Sequence, residues 1–476
     1  MKNGKNNFLK RISIDSRFKT LGINTIIFGI GNVLSKLILF FLMPLYTSFL
    51  TPTQYGTAEL LNNSVDLIMP FVTLCLYEAV FRFSIDNTEY SNISVFSNSL
   101  QLLIKLLTVT SIICIIGAWG SGNMYPLLFL LMILPYSLRQ LFAQFSRGVG
   151  YSKEFAFSGV INAFSLGSLN ILFVGVLKYG VFGYILSIAI GNSISALYLF
   201  FRLKLFKYIN FGNRDTQLIR LMLKYSLPMI PNSVSWWFAN ISTRYILMFF
   251  EGLSIAGIFT AISKLPSIIN MLSSIFQQSW QFSASKEIKK KKSNEFFSNV
   301  FSIYYILIIL SCSYLITVIP YVAKIVLQGE FFSYWIYVPF LLVSAVLNCF
   351  SVYFGSIYTA AMNNKMIMIS TITGALVSVS SSFLLIPSMG IMGAIISSNL
   401  SYIVINLMRY FDTKRIIKLE INFKLLIFLL VSIYLQSFGY IVFKGDFVFI
   451  SLFISLLISA VSLINRRNTK IKLGNK

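Results

Sequence analysis

Fourteen apolar runs, most of them about twenty residues or longer, follow one another along this chain with short polar breaks between them. A run of that length crosses a hydrocarbon core of roughly 30 Å as a helix. Lipid offers no hydrogen bonds to the backbone, so each run must satisfy its own N–H and C=O groups, which a helix does within a single segment. The expected fold class is therefore an all-α polytopic membrane protein. Its spans lie near 21–48, 58–83, 97–118, 125–146, 155–177, 181–201, 226–250, 256–282, 299–320, 335–361, 368–387, 390–408, 423–442 and 447–464. Composition agrees: 56% of the 476 residues are hydrophobic, 11% are charged, and mean hydropathy is +0.77.

The charges are sorted by side. Of 39 Lys and Arg residues, thirty-one fall on one side of the fourteen crossings or at the span ends there, three (Lys178, Lys324, Lys444) on the other, and five deep inside the spans. Cytoplasmic loops retain positive charge, so both termini are expected in the cytoplasm. The basic clusters are Lys2 to Lys19, Arg202 to Lys224, Lys286 to Lys292, Arg409 to Lys424 and Arg466 to Lys476. A net charge of +24 would suit a nucleic-acid binder only if it gathered on one folded face. Spread over loops, it suits anionic membrane lipids, and no nucleic acid is expected as partner.

Several function classes drop out. The chain has no His, which removes the commonest general base and metal ligand. Cys75, Cys114, Cys312 and Cys349 lie in apolar runs without CxxC spacing and read as small hydrophobes. No GxxxxGK[ST] motif is present, so the chain carries no P-loop for ATP. Neither a metal nor a cofactor is expected. The first apolar run is too long for a signal peptide and lacks a small-residue cleavage site.

An internal repeat appears at an offset near 200 residues. Asn32-Val33-Leu34-Ser35 falls beside Asn232-Ser233-Val234-Ser235, Tyr55-Gly56 beside Ala256-Gly257, and Phe83-Ser84 beside Phe282-Ser283. Pro70 and Pro266 occupy corresponding helices, the second and the eighth. Six spans separate the copies, so the halves insert with the same polarity, as in parallel-repeat transporters. The expected organisation is a basic N-terminus (1–20), an N-lobe (21–201), a basic linker (202–225), a C-lobe (226–408), an appended helix pair (409–464) and a basic tail (465–476). Two parallel lobes flanking a cleft form an alternating-access architecture, with Pro70 and Pro266 kinking the helices that line it.

Five cations lie at depth: Lys36, Lys105, Arg139, Arg244 and Lys264, against Asp66 and Glu78 as acids. Each central Lys or Arg costs roughly 2.5–3.5 kcal/mol on the insertion scale, so it needs water, a partner or a ligand. A hydrated cleft with this excess of positive charge attracts a polyanion such as a pyrophosphate headgroup, which Arg and Lys suit. Structural ion pairing is the competing reading for each. Glu78 and Arg82 are spaced i,i+4 for a local pair; the repeat offset sets Asp66 near Lys264 as a latch. Trp236 and Trp237 lie mid-span beside Asn232 and Asn240, where an indole face can stack on a sugar ring or simply pack. Gln277 and Gln278, beside Ser279, Trp280 and Gln281, suit a glycan contact or a solvated helix end.

These segments resemble the polysaccharide-biosynthesis flippases, the lipid-linked oligosaccharide branch of the multidrug/oligosaccharidyl-lipid/polysaccharide exporter superfamily. The likeness rests on Gly31-Asn32-Val33-Leu34-Ser35-Lys36, Pro44-Leu45-Tyr46-Thr47 and Leu50-Thr51-Pro52-Thr53-Gln54-Tyr55-Gly56. In the second lobe it rests on Leu227-Pro228-Met229-Ile230-Pro231-Asn232-Ser233, Trp236-Trp237, Arg244-Tyr245 and Ile275-Phe276-Gln277-Gln278-Ser279-Trp280. The resemblance implies an undecaprenyl-pyrophosphate-linked oligosaccharide as substrate, moved between leaflets of a bacterial inner membrane for O-antigen or capsule synthesis. It also implies polysaccharide polymerase and chain-length machinery as partners. Family members often carry an acid just before the Arg of the seventh span, where this chain has Thr243. Antiport of protons or sodium is common in the superfamily, and Asp66 and Glu78 are the deep acids that would couple it. The competing readings are a multidrug exporter, a lipid II flippase, and a membrane-embedded polymerase or glycosyltransferase. A drug-cation exporter wants an acidic lumen; an enzyme wants paired carboxylates or a sizeable extra-membrane domain.

Overall fold

The computed structural model describes residues 37–38, 40–85, 90–210, 212, 215–288, 293–361 and 365–474. Most of the first expected span, including Lys36, lies outside the described residues. Those described are helical almost throughout, and none of them forms a strand. The first helices are α1 (Met43–Phe49), α2 (Pro52–Thr73), α3 (Leu76–Ile85), α4 (Asn92–Ser121), α5 (Tyr125–Gly148), α6 (Ser152–Asn170, continued by a π turn), α7 (Gly180–Arg202) and α8 (Thr216–Ser226). There follow α9 (Met229–Ile262), α10 (Ser267–Glu287), α11 (Ser293–Val326), α12 (Val338–Ala360), α13 (Lys365–Thr413), α14 (Phe423–Phe443) and α15 (Val448–Gly474).

Nine helices among the described residues are long and apolar enough to cross a membrane, and the bent pair α2–α3 makes a tenth. The difference from fourteen has local causes. The 49-residue α13 reverses at Gly390, whose φ of +52° interrupts it, so one element carries the eleventh and twelfth expected spans. The eighth expected span is split between the end of α9 and α10 by turns at 263–266. The apolar part of α15, Val448–Ile464, is a shorter helix that coincides with the fourteenth. Both prolines matched by the repeat lie close to breaks. Pro70 has no N–H and its ring crowds the carbonyl four residues back; α2 ends at Thr73, Leu74 and Cys75 take φ of +51°, and α3 leaves at 59°. Pro266 caps α10 directly after the break at 263–266.

The chain divides into two compact units. In the first, made of Ile68–Val176 and Phe182–Ile230 among the described residues, α3, α4 and α5 share a core of Leu76, Val80, Phe96, Leu100, Leu141 and Phe145. The described part of the basic linker expected over 202–225 packs against this unit. Ser97 Oγ donates to the Asn210 carbonyl (2.7 Å), and Asn98 Oδ1 accepts from the Asp215 N–H (2.9 Å). Asp215 then caps α8 by accepting from Leu218 N at 2.9 Å, which satisfies one of the free N–H groups at the helix start. Leu218 and Met222, one turn apart, bury the inner face of α8, while Arg220 and Lys224 remain exposed.

The second unit comprises Phe40–Leu67, Leu177–Val181 and Pro231–Lys476. Its central helix is α12, whose Tyr353 stacks on Trp280 of α10 (centroids 5.3 Å), while Trp280 Nε1 donates to Ser356 Oγ at 2.6 Å. Arg409, the first member of a cluster read from sequence as cytoplasmic, is buried. Its guanidinium donates to Ser370 Oγ (2.8 Å), the Ser351 carbonyl (2.6 Å) and Thr371 Oγ1 (3.0 Å), so one side chain ties α12 to both ends of α13. A second polar knot holds α14 and α15 to α11. Gln436 Nε2 donates to the Ser313 carbonyl and Ser451 Oγ (3.0 and 2.7 Å), and its Oε1 accepts from Ser313 Oγ at 2.8 Å. Replacing Gln436 by Leu should lower stability by about 1–3 kcal/mol, since interhelical hydrogen bonds in lipid are each worth roughly 0.6–2 kcal/mol. Thermal unfolding of the detergent-solubilised protein checks this, and an unchanged midpoint would show the knot to be energetically idle.

Candidate functional site

The site grows from the first segment of α9, Met229 to the break at Gly252 (φ +87°). Helical spacing puts Trp237, Asn240 or Ile241, and Arg244 along one side of that segment. Trp237 is 5% exposed and donates from Nε1 to the Asn63 carbonyl at 2.8 Å. Arg244 Nη1 reaches the Asn63 side-chain Oδ1 at 3.4 Å. One residue on, Tyr245 Oη donates to the Leu60 carbonyl and meets Ser64 Oγ, both at 2.8 Å. Asn63 is thus gripped through its main chain and its side chain, and α2 and α9 meet along a polar seam.

The same two helices touch at their closest where glycine removes the side chain. A Cβ on Gly257 would collide with the Pro52 carbonyl oxygen, and one on Gly56 would lie 2.5 Å from the Leu253 carbonyl. The sequence repeat sets Tyr55-Gly56 beside Ala256-Gly257. One turn from this crossing, Glu59, 4% exposed at its side chain, receives Lys264 Nζ at 3.1 Å from each carboxylate oxygen, while Lys264 itself is 38% exposed. Tyr55 Oη also donates to Glu59 Oε1 at 3.1 Å.

Beyond the seam, Arg244 faces a cavity of about 190 Å³ within the second unit, walled by α9, the turns at 263–266, α10, α12 and α13. Its lining is mostly polar and includes Asn240, Asn270, Asn348 and Tyr402; Arg244 is the only ionisable acid or base apart from that tyrosine. Among the described residues no carboxylate lies within ion-pair distance of Arg244. A guanidinium at a cavity wall with no carboxylate in ion-pair contact is suited to binding an anion.

The profile of a protein family described as polysaccharide biosynthesis protein matches residues 21–281. The chain belongs to that family. In fold it is similar to the lipid II flippase MurJ in an inward closed conformation, with a TM-score of 0.66 at 14% identity over 94% of this chain and all of that one. It is also similar to a multidrug resistance MATE family transporter of the MOP superfamily. The inward-facing form gives a TM-score of 0.64 at 15% identity, covering 80% of this chain and 95% of that chain, and the outward-facing form 0.56 at 16%, covering 83% and 96%. No curated protein matches in sequence.

The residues singled out from sequence in this family member fall in different places. Arg244, Lys264, Asp66, Trp236 and Trp237 belong to the second unit. Lys264 pairs with Glu59 where sequence reading set it near Asp66, and Asp66 itself is exposed. Trp236, 59% exposed, offers an indole face, whereas Trp237 is a packing residue of the seam. Gln277 is buried; the side chain of Gln278, like Lys36, lies outside the described residues. Lys105, Arg139 and Glu78 belong to the first unit. Lys105 is exposed on α4, Glu78 is half-buried on α3, and Arg139 sits over the Tyr136 ring at 5.8 Å with its Nε buried and unbonded.

Glu59, Asn63 and the Asn270–Asn348 pair escaped sequence reading. The signal for Glu59 was its position one turn beyond Gly56, at the margin of an apolar run that the helix overshoots by starting at Pro52. Replacing Lys264 by Met, or Glu59 by Gln, should destabilise the protein by about 1–2 kcal/mol; the exposure of the lysine keeps the loss below that of a fully buried pair. The exchange Glu59→Lys with Lys264→Glu should recover at least half of that loss in thermal unfolding. Gly257→Val should cost about 1–3 kcal/mol because backbone, not a movable side chain, occupies the space.

Proposed function

We propose that this protein is a flippase for a lipid-linked saccharide, carrying an anionic polyprenyl-pyrophosphate oligosaccharide across a bacterial cytoplasmic membrane by alternating access. The observation that carries this reading is Arg244, a cation at span depth that faces a polar cavity and has no carboxylate partner among the described residues. A side chain so placed is costly unless it serves an anion. Membership in the polysaccharide biosynthesis family supports saccharide as the cargo's other half. The charge sorting along the sequence supports cytoplasmic termini, and with them delivery of cargo from the inner to the outer leaflet.

In this reading the α2–α9 seam is part of the outer closure. Glu59 and Lys264 neutralise one another there, so Lys264 steadies the closed state and leaves cargo contact to Arg244. Asp66, exposed and near the seam in sequence, is the acid available for coupling to an ion gradient. The released lipid-linked units would pass to polymerase and chain-length machinery.

The cavity's composition also separates this reading from export of drug cations, which carboxylates would attract and a guanidinium repels. Proteoliposomes holding the full chain should move a labelled polyprenyl-pyrophosphate saccharide between leaflets faster than empty vesicles do, and should leave a cationic dye such as ethidium where it is. Running the assay with and without an imposed pH gradient tests coupling. Dye transport without saccharide transport would overturn the proposal. Cells lacking the protein should accumulate single-unit glycan lipids on the cytoplasmic side.

A further inference from the structure

Lys105 has no part in the seam or the cavity. It belongs to the first unit, is exposed on α4, and has no hydrogen-bond or ion-pair partner among the described residues. Helical spacing puts it at the head of a strip formed by Val109, Ile112 and Ile116, each more than half exposed. An exposed strip of branched aliphatic side chains on a spanning helix faces acyl chains, whereas a water-filled passage is lined by polar groups. From Lys105 to Ile116 the helix rises about 16 Å, close to the roughly 15 Å of hydrocarbon in one leaflet.

The helix also sets the direction of the lysine. Side chains on a helix lean toward its N-terminus, and the N-terminal end of α4 is the end that holds the linker. Lys105 therefore extends back toward Gln101, one turn earlier on the same side, whose Nε2 donates to the Asn210 carbonyl at 3.2 Å. One turn earlier again, Ser97 Oγ donates to that carbonyl (2.7 Å) and accepts from the Asn210 N–H (2.9 Å). On the other flank, Asn98 Oδ1 takes the Asp215 N–H at 2.9 Å. Lys105 thus stands over the linker between Asn210 and Asp215, where the Ser- and Asn-rich start of α4 gives way to its apolar run.

The linker supplies the rest of the field. Lys204, Lys207, Arg220 and Lys224 are exposed. Asp215 is the sole acid in the sequence between 202 and 226, and its Oδ1 is held by Leu218 N in the cap of α8. Exposed Phe206, Leu221 and Tyr225 interleave with the cations. On α8, helical spacing sets Leu221 and Tyr225 on the flank beside Arg220 and Lys224. A helix of that pattern lies in the headgroup layer, with its apolar flank at the acyl boundary and its cations level with the phosphates.

We propose that Lys105 and this linker form a site for one anionic phospholipid of the leaflet on the linker's side. Its phosphate meets the Lys105 ammonium above Gln101, and an acyl chain follows Val109, Ile112 and Ile116. The linker's cations select for net negative charge, because the amine of a zwitterionic headgroup meets like charge there. The site belongs to the first unit, the Arg244 cavity to the second, and the transported cargo does not occupy it. The proposal stands independently of the flippase reading.

The test uses the full-length protein in phosphatidylcholine nanodiscs holding a trace of phosphatidylglycerol with a photoreactive diazirine in its acyl chain. Labelled peptides are mapped by mass spectrometry. Label should concentrate in the stretch 101–116. Added phosphatidylglycerol should displace it, and farnesyl pyrophosphate, a short analogue of the cargo's anionic end, should not. Lys105→Met should cut the label there about fivefold, and Lys105→Arg should restore most of it. Lys324→Gln, which removes an exposed cation of the second unit, should leave it unchanged. Lys105 is exposed, so its variants should melt with the wild type, and a melting curve checks that each is folded. Equal labelling by the diazirine derivative of phosphatidylcholine, or undiminished labelling of Lys105→Met, overturns the site. Displacement by farnesyl pyrophosphate would assign Lys105 to the cargo and overturn it as well.

Discussion

The close approach of α2 and the latter part of α9 is the constraint on which the rest of the second unit depends. Gly56 and Gly257 let two backbones meet with no side chain between them, the device by which small residues bring membrane helices together. Once that distance is fixed, Glu59 can reach Lys264, and Asn63 can take Trp237 through its carbonyl and Arg244 through its amide oxygen. Arg244 is thereby aimed along the wall of the cavity. A bulkier pair at the crossing would separate the helices and loosen every one of these contacts together.

Polar groups within the lipid-spanning helices fall into two kinds. Those that bind the fold are saturated: the Arg409 guanidinium spends its donors on two hydroxyls and a carbonyl, and Gln436 is enclosed by serines and a threonine. Arg244 has one long contact, to Asn63, and otherwise opens on the cavity. Saturation distinguishes a structural cation from a binding one, and sequence could not see it. Arg409 was assigned by its neighbours Lys414, Arg415 and Lys418 to a solvated cluster, because charge density along the chain says nothing of which residue turns inward.

Much else was legible beforehand. The spans follow from the length of apolar runs, and the matched prolines lie within about a turn of helix breaks. Arg244 stood out because a lone cation in an apolar run has no cheap explanation. The pairing of Lys264 was not legible in this way. Asp66 and Glu59 lie two turns apart on one helix, and choosing between them requires the depth at which α2 crosses its partner, which the glycine contact sets.

The knot around Gln436 bears on how the chain assembles. Apolar helices in lipid slide past one another at little expense, because the surrounding tails resemble their side chains. A carboxamide surrounded by Ser313, Thr317, Ser451 and Ser455 tolerates no such sliding, because a shift of one residue strands its donors in hydrocarbon. The terminal helix pair is therefore held against α11 at a single register.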